Sequence, residues 1–229
     1  MVLKNVKNIV KKILPITNNI RYDNQTYKIM KIVLEADSTF IDVGCHEGEV
    51  LDQAIQFSPK GRHFGYEPIP DLYSNLSEKY SSSCQIKNYA IADFVGESEF
   101  HHVVSNPAYS GIKKRSYPKM ENINKIKIKT TTLDKELINE SRVDLIKIDV
   151  EGGEFAVLKG SEKIINKFHP VIIFEHGIGA SDFYQTNSDK IFEFFDSHDY
   201  DIFTLKGFIN QAEALSKEKL KDLYNRNKE

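Results

Sequence analysis

Two groups of residues in this chain have types and spacings that could do chemistry. The first is the run Asp42-Val43-Gly44-Cys45-His46-Glu47-Gly48, followed downstream by Glu67-Pro68. Gly44 and Gly48 let the backbone approach a ligand closely. Carboxylates such as Asp42 and Glu67 accept hydrogen bonds from hydroxyl or ammonium groups. The second group is Lys147, Asp149 and Glu151, with Gly152-Gly153, then Glu175 and His176. A histidine or carboxylate can move a proton near neutral pH. Oxygen ligands such as Asp149, Glu175 and Glu151 suit a hard cation, Mg²⁺ before zinc.

The elements that must position these residues follow from the pattern around them. Apolar, β-rich runs at 39–43, 62–66, 85–91, 143–148, 170–175 and 200–205 read as strands. Helical patterns occupy 49–57, 71–80, 154–168 and 188–198. Such alternation predicts an α/β fold, a mostly parallel central sheet with helices on both faces. Ligands bind beyond the carboxyl ends of such strands. Glu67 falls at the second strand end, and adjacent parallel strands should bring Asp149, Glu151, Glu175 and His176 to one rim, the same rim as the glycine run. Lys147 shares a strand face with Asp149, two residues apart. Residues 97–104 and 125–132 interrupt the alternation, the second with period two. They read as a β insertion, about 97–132, between core strands 3 and 4. Its loop carries Ser105, Asn106, Tyr109, Ser110, Gly111 and Tyr117, and substrate choice is expected there. The chain thus divides into an N-terminal amphipathic helix and lead-in (1–30), a main domain (31–212) and a charged C-terminal helix (213–229).

Composition narrows the partners. The chain has 229 residues, 40% hydrophobic and 28% charged, with a formal net charge of -2. That length supports one sizeable core, and the charge gives no general pull on nucleic acid. The two cysteines, Cys45 and Cys84, form no C-x-x-C pair, which suits a reducing compartment and a cytoplasmic protein. No apolar run reaches the roughly 20 residues a membrane span needs. Residues 2–14 set apolar positions at helical spacing among Lys4, Lys7, Lys11 and Lys12, and lysines interrupt any signal-peptide core. This segment reads as an amphipathic helix that caps the domain or lies on a membrane surface or a partner. A homo-oligomer is compatible with this composition.

The glycine run discriminates between cofactors. A nicotinamide dinucleotide wants G-x-G-x-x-G, because its pyrophosphate sits on a bare helix N-terminus. Here Gly44 and Gly48 are spaced G-x-x-x-G, and Asp42 and Glu47 would repel a pyrophosphate. S-adenosylmethionine carries an ammonium and a sulfonium, which acidic groups suit. Glu67 at the second strand end could accept both hydroxyls of its ribose.

Across about 40–205 the chain resembles the FkbM-type methyltransferases. The matching pieces are FIDVGCHEGE, YEPIPDLYSNL, NYAIADFVGESEF, TTTLDKEL, DLIKIDVEGGEFAVLKG and HPVIIFE, in that order. The resemblance implies a Rossmann-like methyltransferase fold and O-methylation of hydroxyls on sugars, glycans or related small metabolites. A nucleotide-linked sugar is one such acceptor. It implies that Asp42, Gly44 and Gly48, with Cys45 and His46 in the loop, hold the methionine end of the cofactor, and that Glu67 holds the ribose. It places Asn88, Ala90 and Asp93 beside the adenine. The family more often has Ala-Asn where this chain has Cys45-His46, which leaves the loop's local contacts open.

The same residues set mechanistic expectations. Methyl transfer needs alignment above all, and a sugar hydroxyl benefits from a base or a metal. His176 is the first candidate base, Asp149 the second, with Lys147 beside it; Asp149, Glu175 and Glu151 are the candidate Mg²⁺ ligands. A Rossmann oxidoreductase is one rival reading. A nucleic-acid methyltransferase is another, resting on Lys113, Lys114, Arg115, Tyr117 and Lys119. A non-catalytic binding module is the third, against which intact Asp42, Glu67 and Asp149 speak.

Overall fold

A computed structural model of the chain describes residues 18–117 and 119–226. The expected helix at 2–14 lies outside them. Strands β1 (Phe40–Val43), β2 (His63–Tyr66) and β3 (Gln85–Lys87) are followed by β4 (Ala90–Ile91), β5 (Gly96–Val103) and β6 (Ile123–Thr131), then β7 (Leu145–Ile148) and β8 (Val171–Phe174). Five form a wholly parallel sheet in the order β3-β2-β1-β7-β8. The chain enters at the centre, winds outward to β3, then returns beside β1 at β7. The switch point therefore lies between β1 and β7, where Asp42 pairs in register with Lys147.

Parallel strands are covered on both faces, so they read as continuous apolar runs. β1 is buried at every position. Its side chains alternate between two cores. Ile41 and Val43 join Ile146, Ile148, Val157, Leu158, Ile165 and Ile191 on one face. Phe40 joins Leu145, Leu51, Leu76 and Met30 on the other. The second core is roofed by α1 (Asn18–Val33), α2 (Glu49–Phe57) and α3 (Pro70–Lys79). The first is roofed by α5 (Glu154–Lys159), α6 (Glu162–Phe168) and α7 (Ser188–Asp196), which follow the short α4 (Leu133–Glu136). Two further helices, α8 (Leu205–Ile209) and α9 (Lys217–Asn225), close the described chain.

The insertion forms a sheet of its own, ordered β4-β6-β5. β5 and β6 pair antiparallel from Gly96↔Thr130 to Val103↔Ile123. Glu97 and Glu99 stand opposite Lys129 and Lys127, so this face balances its own charge.

Three expectations change. The strand expected at 85–91 is two strands in two sheets. Between them Asn88 turns its amide to the carbonyls of Glu67 and Pro68, at 2.9 and 3.1 Å. The helix expected at 154–168 is broken after Lys159, because Gly160 lies against Ala92; a Cβ there would sit 2.1 Å from the Ala92 oxygen. The strand expected at 200–205 does not form. Thr204 instead caps α8 by accepting from Gly207 N, and the Ile202 carbonyl accepts from Leu215 N. Its apolar alternation comes from burying Ile202 in the core, without strand pairing.

Candidate active site

The turn after β1 is held by backbone. Gly44 and Cys45 N–H both donate to the Tyr66 carbonyl, and Gly48 N–H closes onto Cys45 O at 2.7 Å. Gly44 has φ +85°, and a Cβ on it would lie 2.0 Å from the Asp149 carbonyl oxygen. Glycine is required there on both counts. The loops after β1 and β7 thus touch at the switch point, and Asp149 N–H donates to Val43 O at 3.0 Å.

Glu67 ties the second strand end to this turn. Its Oε2 accepts from His46 N–H at 3.0 Å and its Oε1 from Ile69 N–H at 2.9 Å. Burial raises its pKa to about 7, against the pull of those two N–H groups and with Asp42 adding. Each oxygen keeps a lone pair for a further donor.

The turn after β7 is built the same way. Glu151 has φ +60° and Gly152 φ +104°. Oε1 of the buried Glu154 accepts from both Val150 and Gly152 N–H, at 3.1 and 3.0 Å. Gly152 also lies against the next loop, where a Cβ would come 2.5 Å from Ala180 O. Glu154 was missed as a site residue, although its place two residues after Gly152 is the spacing at which a side chain can cap its own turn.

Between the two turns opens a cleft of about 710 Å³, solvent-open space included. Gly44, His46, Glu67, Asp149 and Glu151 line its polar side. Ile69, Tyr89, Ala90, Ile91 and Ala92 line its apolar side. The insertion roofs it through Phe100, Ser110 and Ile112. Tyr66, Tyr89 and Tyr184 also line it, and sequence reasoning missed them. Nothing in their spacing separates a cleft aromatic from a core one.

Other expected residues lie elsewhere. Asp42 is wholly buried on the opposite face of β1. Lys147 Nζ stands 3.6 Å from its Oδ1 and 3.3 Å from Asp149 Oδ2. The longer contact is an ion pair beyond hydrogen-bond reach, so among the described residues both Asp42 oxygens lack a hydrogen-bond partner. Burial raises Asp42 to about 6, with Lys147 opposing. Burial pulls Lys147 down, but Asp149 and Asp42 outweigh it and hold the ammonium charged. Cys45 packs into the core beside Leu51. Gly48 starts α2. Asn88 binds backbone, as described above. Asp93 is exposed outside the cleft and pairs with Lys159.

His176 lines neither this cleft nor the neighbouring cavity. Its ring stacks on Tyr224 of α9, with centroids 4.8 Å apart, and burial lowers its pKa to about 4. The alternation past β8 explains this: Glu175 and Gly177 turn to the site side while His176 turns away.

The geometry gives the Mg²⁺ expectation no support. Asp149 faces Lys147, and Glu151 is ion-paired with Arg115. Among the described residues no group of three or more His, Cys, Asp or Glu is placed to hold a metal ion. Of the expected basic patch, Arg115 is drawn inward, while Lys113, Lys114 and Lys119 are exposed. Lys113 N–H donates to Tyr184 Oη at 2.9 Å, its ammonium to Phe183 O, and Arg115 reaches Glu151. These contacts clamp the insertion onto the loop after β8. Among the described residues no helix is long and apolar enough to cross a membrane.

Comparison with known proteins adds a lineage to this geometry. Residues 42–202 match the model of the methyltransferase FkbM domain. The chain is 26% identical over 171 residues to the hexuronic acid methyltransferase AglP of Haloferax volcanii, covering 72% of this chain and 67% of that protein. It is 26% identical over 156 residues to the 2-O-methyltransferase NoeI of Sinorhizobium fredii, covering 61% and 64%. The chain thus spans about two thirds of the length of these relatives. A solved precorrin-6y C5,15-methyltransferase from Geobacter metallireducens aligns with a TM-score of 0.45 at 13% identity, over 82% of this chain and 74% of that one.

Proposed function

The chain belongs to the FkbM methyltransferase family, and on that premise we propose that it moves the methyl group of S-adenosylmethionine to a hydroxyl of a carbohydrate. The observation that carries the reading is the cleft at the β1/β7 switch point, where Gly44 abuts Asp149 and Glu67 stands at the next strand end. The residues present fit that donor. Glu67 retains acceptor capacity for ribose hydroxyls. Ile69, Tyr89, Ile91 and Ala92 offer an apolar wall to a base. Asp149 on the polar side suits a cationic ligand and disfavours a pyrophosphate. When bound, S-adenosylmethionine supplies a methyl carbon already activated by a sulfonium.

The protein's own residues then position and deprotonate. The two turns hold the cleft walls rigid by backbone hydrogen bonds, which favours alignment of the reacting atoms. Asp149 is the proton acceptor in this reading, because it lines the cleft and Lys147 orients its carboxylate from 3.3 Å. Glu151 lines the same cleft, and burial raises it to about 8, with Arg115 opposing and Asp149, Glu175 and Glu154 adding. Its charge is engaged by Arg115, so it is not the proton acceptor in this reading. Asp42 lies beneath the loop and acts on it without touching ligand. The carbohydrate acceptor is supported by the names of the two relatives.

The test is transfer of label from methyl-labelled S-adenosylmethionine to a panel of glycosides, nucleotide-sugars, RNA and small hydroxylated metabolites. Label in a base-stable ether on a sugar is the expected result. Label confined to RNA, or to nitrogen, would sink the reading. Asp149→Asn should lower turnover by roughly 10²–10⁴.

A further inference from the structure

A second cavity, of about 820 Å³ with solvent-open space included, adjoins the cleft. The insertion contributes Tyr109, Arg115 and Tyr117 to it, and the strand-end loops contribute Glu154, Glu175 and Ile178. The Arg115–Glu151 ion pair joins it to the cleft, because Arg115 lines one and Glu151 the other. We infer that this cavity binds the acceptor, and that it selects an uncharged sugar ring over a uronic acid. The inference rests on the methyltransferase reading and narrows it to a substrate class.

Three features carry it. First, the cavity has an apolar platform. Tyr109 and Tyr117 stack with centroids 6.1 Å apart, with the Arg115 guanidinium over the Tyr109 ring, and Ile178 is exposed at the lip. Ring faces of this kind pack against the C–H face of a sugar.

Second, the cavity holds buried polar atoms with nothing to bind. The Arg115 side chain is only 9% exposed, yet among the described residues its Nε has no hydrogen-bond partner, and neither has Tyr117 Oη. A buried donor left unmade is costly, so a ligand group that reached these atoms would relieve that cost. Nε–H wants an acceptor, Tyr117 Oη can do either, and the Glu175 carboxylate wants a donor. A hydroxyl, which both donates and accepts, serves all three.

Third, the charge is unfavourable to anions. Among the described lining residues Arg115 is the one cation, and it is already paired with Glu151. Glu175 adds a carboxyl group on the wall; burial and then Asp149 raise its pKa, with Arg115 and Lys147 opposing, so it is fully charged only above the ordinary carboxylate range. A uronate would meet Glu175 without an unpaired cation to offset it, and like charges brought together cost affinity.

The test is a set of saturation-transfer NMR titrations of the full chain with methyl pyranosides of hexoses and of the corresponding hexuronates, with and without S-adenosylhomocysteine. The uncharged rings should bind at least about tenfold more tightly than their uronates. Glu175→Gln should shrink that ratio severalfold, and Tyr117→Ala should weaken all the sugars together. Uronates that bind as tightly as hexoses, or a ratio untouched by Glu175→Gln, would overturn the inference. So would failure of every sugar to bind a chain that does bind S-adenosylhomocysteine. A chain that ranks the sugars as stated but ignores S-adenosylhomocysteine keeps the selectivity and removes the donor reading instead.

Discussion

Lys147→Met should destabilise the protein in a way that depends steeply on pH. Lys147 is the cation beside Asp42, whose carboxyl is fully buried with both oxygens lacking a hydrogen-bond partner among the described residues. Burial already raises Asp42 from 3.8 to about 6. A carboxyl raised on folding costs nothing below its unfolded pKa and its full penalty above its folded one. For Asp42 that penalty is about 3 kcal/mol at pH 8. Without Lys147 the charge has no compensation, and Asp42 takes up a proton on folding. Keeping an ordinary aspartate protonated at pH 8 costs about 6 kcal/mol. The variant's extra loss is therefore capped near 3 kcal/mol at pH 8. At pH 5 the folded wild type is already mostly protonated at Asp42, so this loss should fall below about 1 kcal/mol. Urea unfolding of both proteins at pH 8 and pH 5 measures it. Asp42→Asn in the Lys147→Met background should abolish the pH dependence. Equal losses at the two pH values, or no loss at pH 8, would refute the reasoning.

Other residues give further expectations. Gly44→Ala places a Cβ 2.0 Å from Asp149 O at φ +85°; strain and overpacking together should cost about 2–5 kcal/mol, read as a lowered melting temperature, with loss of donor binding. Glu154→Gln should be nearly neutral in thermal unfolding, because a single oxygen, Oε1, accepts both backbone N–H groups, whereas Glu154→Ala should cost about 2–4 kcal/mol for two buried donors left unmade. His176→Ala should lower the melting temperature through loss of the Tyr224 stack while turnover stays within about threefold of wild type; a fall of roughly 10² or more would return His176 to the chemistry. Turnover should be unchanged in EDTA, because Asp149 and Glu151 are engaged by Lys147 and Arg115.

Much of this was legible in the sequence because parallel strands buried on both faces leave a plain trace. The runs at Phe40–Val43, Leu145–Ile148 and Val171–Phe174 are almost unbroken apolar segments, and each ends in a turn of glycine or carboxylate. Glu67 and Asp149 could be placed at the rim for that reason alone. What a strand end does with its next residue is less legible. Asp42 and Val43 are neighbours on opposite faces, and so are Glu175 and His176. Which of each pair faces the ligand depends on the twist of the sheet and on what roofs each side. The run at 200–205 shows the other limit. Burial of Ile202 satisfies the same apolar pattern that a sixth strand would, and Thr204 has a helix to cap. The cavity made by Tyr109, Arg115 and Glu175 joins residues distant in sequence, and no local spacing announces it.

The central claim is that the β1/β7 cleft holds S-adenosylmethionine, with Glu67 and the Gly44 turn as its frame. Calorimetric titration of the chain with S-adenosylhomocysteine tests it most directly. The account predicts saturable one-to-one binding, weakened strongly by Glu67→Ala and absent for NAD under the same conditions. Binding of NAD in place of S-adenosylhomocysteine, or wild-type affinity in Glu67→Ala, would contradict it.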